Sequence, residues 1–259
     1  MIIRHGVIAR SFADFPLRDG LLLFAGSVNN SAEKNEEIIQ MEEASVADAL
    51  LRYPEVPFLY FSSCSIADTS VIHTPYVKHK IRMERMVQNA ARHFFIFRLP
   101  QIIGCSNTKS SLVNYLVDAI STHKTFELWR NANKNIIDIA DVCAIVGEVL
   151  NRNTLKNKVI NMASTRHVSM LELVNDIENV IGCRSKYVVV DRGTNTDIDV
   201  SDIRPVIDSL DINFDDNYIK RLVMKYFYHT VQDPRVIDGV LQGRCASNSQ
   251  STTIIGKNK

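Results

Sequence analysis

One stretch of the chain, residues 61–84, holds side chains whose types and spacing suit acid–base chemistry. Ser63 stands thirteen positions before Tyr76, and Lys80 follows Tyr76 by four. On a helix, residues four apart share one face, so the Lys80 ammonium would lie one turn from the phenol. A nearby cation favours the phenolate, which predicts that Lys80 lowers the pKa of Tyr76 from its usual value of about 10. Such a tyrosine exchanges protons near working pH, while the Ser63 hydroxyl holds a substrate oxygen.

The flanking segments are of the kind that would position these three side chains. Residues 58–61 and 94–99 are apolar, aromatic runs typical of buried strands, and an apolar-periodic helix lies between them. This order places the serine and the tyrosine helix at the carboxyl ends of parallel strands, where α/β proteins bind ligands. The alternative for Tyr-x-x-x-Lys alone is a surface helix whose lysine lays its stem along the helix.

Three further segments, together with Ser62-Ser63 and Tyr76-x-x-x-Lys80-x-x-x-Glu84, carry a family resemblance: RLPQIIG at 98–104, IIDIADV at 136–142 and VINMA at 159–163. The chain resembles the short-chain dehydrogenase/reductases, most closely their extended nucleotide-sugar branch of epimerases, dehydratases and ketoreductases. The resemblance runs over roughly residues 20–230. It implies an α/β fold, a Rossmann-like doubly wound parallel sheet with a small C-terminal α+β substrate lobe.

The resemblance also implies a division of the chain. Residues 1–104 with about 135–163 would form the cofactor domain, and about 105–134 with 164–231 the substrate lobe. Residues 232–259 are polar and patternless, and we expect a disordered tail.

The cofactor implied is NAD or NADP, with Lys80 binding the nicotinamide ribose. The residues expected to face the cofactor are Gly6, Ile8, Ala25, Gly26, Tyr76, Lys80, Leu99, Pro100 and Ile102. The implied substrate is a nucleotide-activated sugar, with candidate contacts from Ser63, Gln101, Asn107, Lys109 and Arg130. No metal is expected.

The N-terminal part departs from the family pattern in two ways. Arg4-x-Gly6-x-x-Ala9 is a dinucleotide fingerprint whose first glycine is replaced by Arg4. The 57 residues from Gly6 to Ser63 are about half of what the family uses for three βα units. The sheet is therefore expected to lack about two βα units, including the acidic residue that would hold the adenosine ribose. The adenosine half of the pocket would be missing or rebuilt.

Three functions are compatible with these residues. The first is an NAD(P)-dependent ketoreductase or 4-epimerase of nucleotide sugars, with Tyr76 as acid and base. The second is a catalytically weak or non-enzymatic member that binds sugar nucleotides, and the third is oxidation of a non-sugar alcohol. A dehydratase is disfavoured, because Cys64 and Ser65 stand where the family's Asp-Glu pair would follow the catalytic serine.

Composition excludes several other classes. The 259 residues carry a net charge of +1 and 46% apolar residues, so neither nucleic acid nor a membrane surface is an expected partner. The five cysteines form no Cys-x-x-Cys pair and are expected to be reduced thiols. With no long apolar run and no signal peptide, the expected location is the cytoplasm. A homodimer is an open alternative, through apolar residues that otherwise belong to the core: Ile38, Met41, Met83 and Met86.

Overall fold

The computed structural model describes residues 2–3, 7–13, 20–25, 35–104 and 111–232, in which strands and helices alternate. The strands are β1 Ile2–Ile3, β2 Leu22–Phe24, β3 Phe58–Ser63, β4 Phe94–Leu99, β5 Gln101–Ile103, β6 Thr125–Trp129, β7 Asn133–Asp138, β8 Lys158–Asn161, β9 His167–Ser169 and β10 Lys186–Val190. The helices are α1 Val7–Ala13, α2 Glu36–Arg52, α3 Pro75–Ala90, α4 Leu112–Ser121, α5 Ile139–Arg152, α6 Met170–Ile181, α7 Arg204–Ser209 and α8 Tyr218–Gln232. A 3₁₀ turn, Cys64–Ala67, follows β3.

The central sheet is parallel and has the order β1-β2-β3-β4-β8. Within the described ranges β1 has one neighbour, whereas a complete doubly wound sheet continues with two more strands beyond it. The prediction of a Rossmann-like sheet that lacks about two βα units is confirmed. Two smaller sheets, β5-β7-β9 and β6-β10, take up strands from the middle and the C-terminal part of the chain. The predicted division into cofactor domain, substrate lobe and tail stays a prediction.

Strand β3 is buried along its whole length, because helices cover both faces of the sheet. Leu59 and Phe61 point to the side of α1 and α5, where the Phe12 ring packs against Phe61 at a tilt. Phe58 and Tyr60 point to the opposite side, where α2 and α3 pack. Because of this alternation, the Tyr60 hydroxyl lies between helices α2 and α3.

Helix α1 lies on the face of α5, opposite to α2 and α3. Strands β1 to β4 lie in the sheet in the same order as in the chain. The hand of each strand–helix–strand connection therefore depends only on the face that its helix covers, and the β1–α1–β2 connection has the opposite hand to β2–α2–β3 and β3–α3–β4. Connections between parallel strands share one hand in about 98% of cases. A shortened doubly wound sheet explains the exception. In the complete sheet the helix after the first strand leads to strands beyond it, and α1 covers the face that this route requires although it leads here to β2.

Side-chain caps fix where the helices begin. Thr74 accepts a hydrogen bond from the Val77 backbone N–H and starts α3, and Ser169 accepts one from the Glu172 backbone N–H and starts α6. Helix α5 has two carboxylates near its start, Asp138 and Asp141. Asp138 is the cap, because its carboxylate accepts the Ala140 N–H at 2.9 Å.

The surface apolar residues bear on the predicted dimer. Met83 is buried in the core between α2, α3 and the sheet, so it cannot face a partner as the dimer alternative required. Met41 is exposed, and the homodimer stays a prediction. No helix in the described segments is both long and apolar enough to cross a membrane.

We expect Gly193→Ala to destabilise the protein by about 2–4 kcal/mol. Gly193 has φ +97°, and a Cβ there would lie 2.4 Å from the Cβ of Ala132. The matched control is Gly182→Ala, where φ is +76° but the space is open, so only about 1 kcal/mol of backbone strain is expected. Urea denaturation of both variants measures the difference; equal losses would contradict the close contact at Gly193.

Candidate active site

Three neighbouring strand ends form the edge of the sheet at which the site lies. Ser63 ends β3 and pairs in register with Leu99, which ends β4, and Ala25 follows β2. Ser63 also begins the 3₁₀ turn, and its Oγ accepts the Ser65 backbone N–H at 3.2 Å. The chain therefore turns away from the sheet directly after presenting the Ser63 hydroxyl at the carboxyl edge.

Helix α3 brings Tyr76 to this hydroxyl. Its first turn starts at Thr74 and Pro75, so Tyr76 lies close to the strand end. The Ser63 hydroxyl lies close enough to the Tyr76 phenol to favour the ionised form and so lower the pKa of Tyr76. One turn on, the Nζ of Lys80 lies 5.9 Å from the centre of the Tyr76 ring. The structure thus brings together the three residues that the sequence pattern singled out, while their catalytic roles stay a prediction.

Lys80 is held by two buried partners that the sequence analysis missed. Its Nζ donates to Glu42 Oε1 at 3.1 Å and to Tyr60 Oη at 3.0 Å. The Tyr60 hydroxyl in turn donates to Glu42 Oε1 at 3.0 Å. Glu42 is 0% exposed and Lys80 is 3% exposed, so the ion pair lies inside the protein.

The sequence does contain a signal for Glu42. Glu42 stands three positions after Ile39 and four before Val46, on the same helical stripe as the buried residues Ala49 and Leu50. A carboxylate on the apolar stripe of a helix must be buried and paired.

The predicted lowering of the Tyr76 pKa by Lys80 is wrong. Burial raises the pKa of Tyr76 above its ordinary value, the Ser63 hydroxyl opposes this, and the Glu42 carboxylate adds to the rise. The physical reason is that the ammonium does not act as a lone cation: its nearest charge is Glu42. Burial lowers the pKa of Lys80 itself, and Glu42 raises it.

Two more sets of polar contacts brace α3. Arg98 on β4 bonds Glu84 through both carboxylate oxygens, Nε–Oε1 at 2.8 Å and Nη2–Oε2 at 2.7 Å. His79, fully buried beside Lys80, places Nδ1 at 3.2 Å from Glu43 and Nε2 at 3.6 Å from Glu42. These contacts fix the rotation of α3 about its axis, and with it the position of Tyr76.

Cys64 is not a nucleophile candidate. Its thiol is buried and donates to the Arg98 carbonyl oxygen at 3.2 Å. Burial raises the pKa of the Cys64 thiol to about 12, so the reactive thiolate is scarce at neutral pH.

The remaining predicted cofactor contacts fall in two groups. Ala25 and Leu99 are buried at strand ends, and Pro100 and Ile102 are half-buried just beyond β4. Ile8 is half-buried in α1 and packs against the main core. Gly6 and Gly26 lie outside the described residues. None of these assignments is tested by a contact, and they stay predictions.

The predicted substrate contacts are spread more widely. Gln101 is half-buried at the start of β5, next to the end of β4. Arg130 follows β6 and forms an ion pair with Asp191 at 3.0 Å, both side chains being well exposed. Asn107 and Lys109 lie outside the described residues. Their roles likewise stay predictions.

The pH dependence of stability tests the buried triangle of Glu42, Tyr60 and Lys80. Burial raises the pKa of Tyr60 well above its usual value, and Glu42 adds to the rise. The stability that Tyr60 contributes is therefore complete below about pH 10, where unfolded tyrosine is protonated, and is lost as pH rises above it.

We accordingly expect the free-energy difference between wild type and Tyr60→Phe to shrink above pH 10, by up to about 1.4 kcal/mol per pH unit. Urea denaturation at several values between pH 8 and pH 11 measures it. Parallel curves for the two proteins over that range would contradict a Tyr60 phenol that stays protonated when folded.

Similar folds occur among solved structures, at identities that establish the fold alone. The dTDP-glucose 4,6-dehydratase of Bacillus anthracis, in complex with NAD, has a TM-score of 0.62 and 12% identity over 82% of this chain and 72% of that one. RMD from Pseudomonas aeruginosa, complexed with NADPH, has a TM-score of 0.58 and 15% identity over 79% and 80%. The UDP-glucose 4-epimerase of Thermus thermophilus, with NAD, has a TM-score of 0.58 and 11% identity over 83% and 79%.

Sequence comparison reaches the family level. No curated protein matches the chain. A family model does match residues 7–163, which is more than half of the 259 residues and includes the Ser63, Tyr76 and Lys80 site. The chain belongs to the NAD dependent epimerase/dehydratase family.

Proposed function

We propose that the protein is an NAD(P)-dependent oxidoreductase of nucleotide-activated sugars, of the ketoreductase or 4-epimerase type. The observation that carries the proposal is the placement of Ser63 and Tyr76 side by side at the carboxyl edge of the sheet, with Lys80 one turn away. A hydroxyl pair of this kind binds one oxygen and exchanges one proton with it, which is what reduction of a carbonyl requires.

The proposed chemistry assigns one task to each side chain. A bound nicotinamide ring supplies hydride transfer. Tyr76 donates its phenol proton to the sugar oxygen in reduction and takes it back in oxidation. Ser63 donates a hydrogen bond to the same oxygen and keeps it in line with Tyr76. Because burial raises the pKa of Tyr76, the phenol is protonated at neutral pH, which is the form that donates.

The nicotinamide half of a dinucleotide fits the donors present. An ammonium has three N–H donors, and Lys80 commits two to Glu42 and Tyr60, so at most one serves a ribose hydroxyl. The similar structures that contain NAD or NADPH support this cofactor. The adenosine half fits less well, because β1 is the last described strand of the sheet on that side.

A nucleotide sugar as the substrate is supported by the family and by similar structures whose names include UDP-glucose 4-epimerase. In the proposal, Gln101 contacts the sugar, and Asn107, Lys109 and Arg130 contact the diphosphate. To contact a diphosphate, Arg130 would have to leave its ion pair with Asp191. The cost is small, because exposed ion pairs contribute about 0–1 kcal/mol to stability.

Dehydration is the least supported reaction in the family. It would need a carboxyl acid and base next to Ser63, where this chain has Cys64 and Ser65. The Cys64 thiol, with a pKa of about 12, holds its proton too tightly to act as an acid near neutral pH.

A second candidate is a sugar-nucleotide-binding protein without turnover. Two observations favour it. β1 is the last described strand on its side of the sheet, and the Lys80 ammonium is already bonded to Glu42. This candidate predicts that the protein binds nucleotide sugars and that substitution of Tyr76 leaves the affinity unchanged.

An isotope experiment separates the two candidates. The protein is incubated with NADH or NADPH carrying deuterium at C4 of the nicotinamide and with a panel of UDP-, dTDP-, GDP- and ADP-linked sugars and 4-keto sugars. The oxidoreductase predicts deuterium at a ring carbon of one keto sugar, or interconversion of two C4 epimers with NAD. Tyr76→Phe is the control and should abolish either signal. Binding of a nucleotide sugar with neither signal would favour the second candidate.

A further inference from the structure

We propose that Glu42 is a positioning residue that cancels the charge of Lys80 at Tyr76, so that Lys80 serves this site by holding a ligand and not by activating the phenol. The ligand in question is the nicotinamide ribose, and that part of the inference rests on the proposed function. The charge cancellation stands on the geometry of the described residues alone.

The geometry is a closed triangle of buried polar atoms. Glu42 comes from α2, Tyr60 from β3 and Lys80 from α3, and the three contacts among them measure 3.0, 3.0 and 3.1 Å. Two acceptors from different elements therefore fix the ammonium, and a carboxylate lies in direct contact with it. All three side chains belong to residues that are buried.

The effect of the pair on Tyr76 follows from distance. A lone ammonium at the 5.9 Å that separates Lys80 Nζ from the centre of the Tyr76 ring would favour the phenolate and lower the titration midpoint of the phenol. An opposite charge 3.1 Å from the ammonium removes most of that effect. The pKa of Tyr76 is in fact raised, by burial first, and Glu42 is among the groups that raise it.

The other charged and titratable groups around Tyr76 and Lys80 are themselves bonded. Glu43 of α2 is bonded to Arg82 and lies beside His79, and Glu84 of α3 is bonded to Arg98 of β4. The neutral neighbours are Tyr60 on β3 and Cys64 in the turn, whose pKa values burial raises. In the described surroundings, Lys80 is thus the cation against the Tyr76 ring and Glu42 is its counter-charge.

The first test titrates Tyr76 in the wild-type protein without cofactor or substrate. Tyrosine is labelled with ¹³C at Cζ, and the Tyr76 resonance is assigned by its loss in Tyr76→Phe. The inference predicts a midpoint above about 10, the value of free tyrosine. A midpoint below about 9 would mean that Lys80 acts as an uncompensated cation and would overturn the inference.

The second test removes both charges at once. In Glu42→Gln/Lys80→Met the Tyr76 midpoint should stay within about half a pH unit of wild type, because a compensated pair is lost. If Lys80 lowers the pKa of Tyr76 as a net cation, the same variant should raise the midpoint by more than one unit. Glu36→Gln, an exposed position of α2, is the matched control and should leave the midpoint unchanged.

The third test addresses the ligand. Glu42→Gln/Lys80→Met, which leaves no buried charge without a partner, should weaken NADH or NADPH binding at least about tenfold; an unchanged dissociation constant would overturn the holding role. A failure of the proposed function can be told apart from a failure of the charge cancellation. If neither dinucleotide binds the wild type, the proposed function and the holding role of Lys80 are both wrong. The two titrations of Tyr76 still decide whether Glu42 cancels the charge of Lys80.

Discussion

Tyr76→Phe should lower kcat at least about a thousand-fold, while the dissociation constant of NADH or NADPH stays within about threefold of wild type. In the proposed mechanism the phenol gives the sugar oxygen its proton, and phenylalanine keeps the ring but not the hydroxyl. The ring fills a buried site beside Lys80, and phenylalanine keeps that ring, so the fold should tolerate the change. Steady-state kinetics with the substrate found by the isotope experiment, and cofactor titration of the same preparation, measure both values.

The matched control is Tyr115→Phe, which removes a phenol hydroxyl from an exposed residue of α4. It should leave kcat and cofactor binding unchanged. A Tyr76→Phe protein that keeps most of its activity would contradict the mechanism assigned to Tyr76.

Glu42→Gln should lower the free energy of unfolding by about 3–5 kcal/mol. The reason is that the variant leaves the Lys80 ammonium buried without its carboxylate, at 3% exposure, and also deprives the Tyr60 hydroxyl of a charged acceptor. Breaking one partner of a buried pair costs much more than removing both. Urea denaturation at neutral pH measures the loss.

The double variant Glu42→Gln/Lys80→Met should recover most of this loss and lie within about 1.5 kcal/mol of wild type. Glu36→Gln, on the exposed side of the same helix, should change stability by no more than about 0.5 kcal/mol. Equal losses in the single and double variants would show that Glu42 matters for packing and not for the charge of Lys80.

The parts of this structure that local patterns determine could be predicted from the sequence. Residues 58–63 and 94–99 form strands because they are continuous apolar runs, and Tyr76 and Lys80 share a face because of helical periodicity. The loss of two βα units could be read from chain length alone, since 57 residues do not hold three such units. The Ser63–Tyr76 contact follows from these elements, as both residues stand at the same edge of the sheet.

What could not be predicted depends on contacts between distant residues. Glu42 and Lys80 are 38 positions apart, and only the packing of α2 against α3 brings them together. The sign of the Tyr76 pKa shift was therefore predicted from the lysine alone, without the carboxylate and without burial. The cap of α5 shows the same limit on a smaller scale, because Asp138 and Asp141 are both suitable residues and only the turn geometry selects Asp138.

Titration of the wild-type protein with NADH and with NADPH, followed by nicotinamide fluorescence, tests the central claim most directly. We expect at least one of the two to bind with a dissociation constant below about 1 mM, on the order of what a working oxidoreductase needs, and Glu42→Gln/Lys80→Met to weaken that binding at least about tenfold. Failure of both dinucleotides to bind below about 1 mM would contradict an NAD(P)-dependent function for this chain.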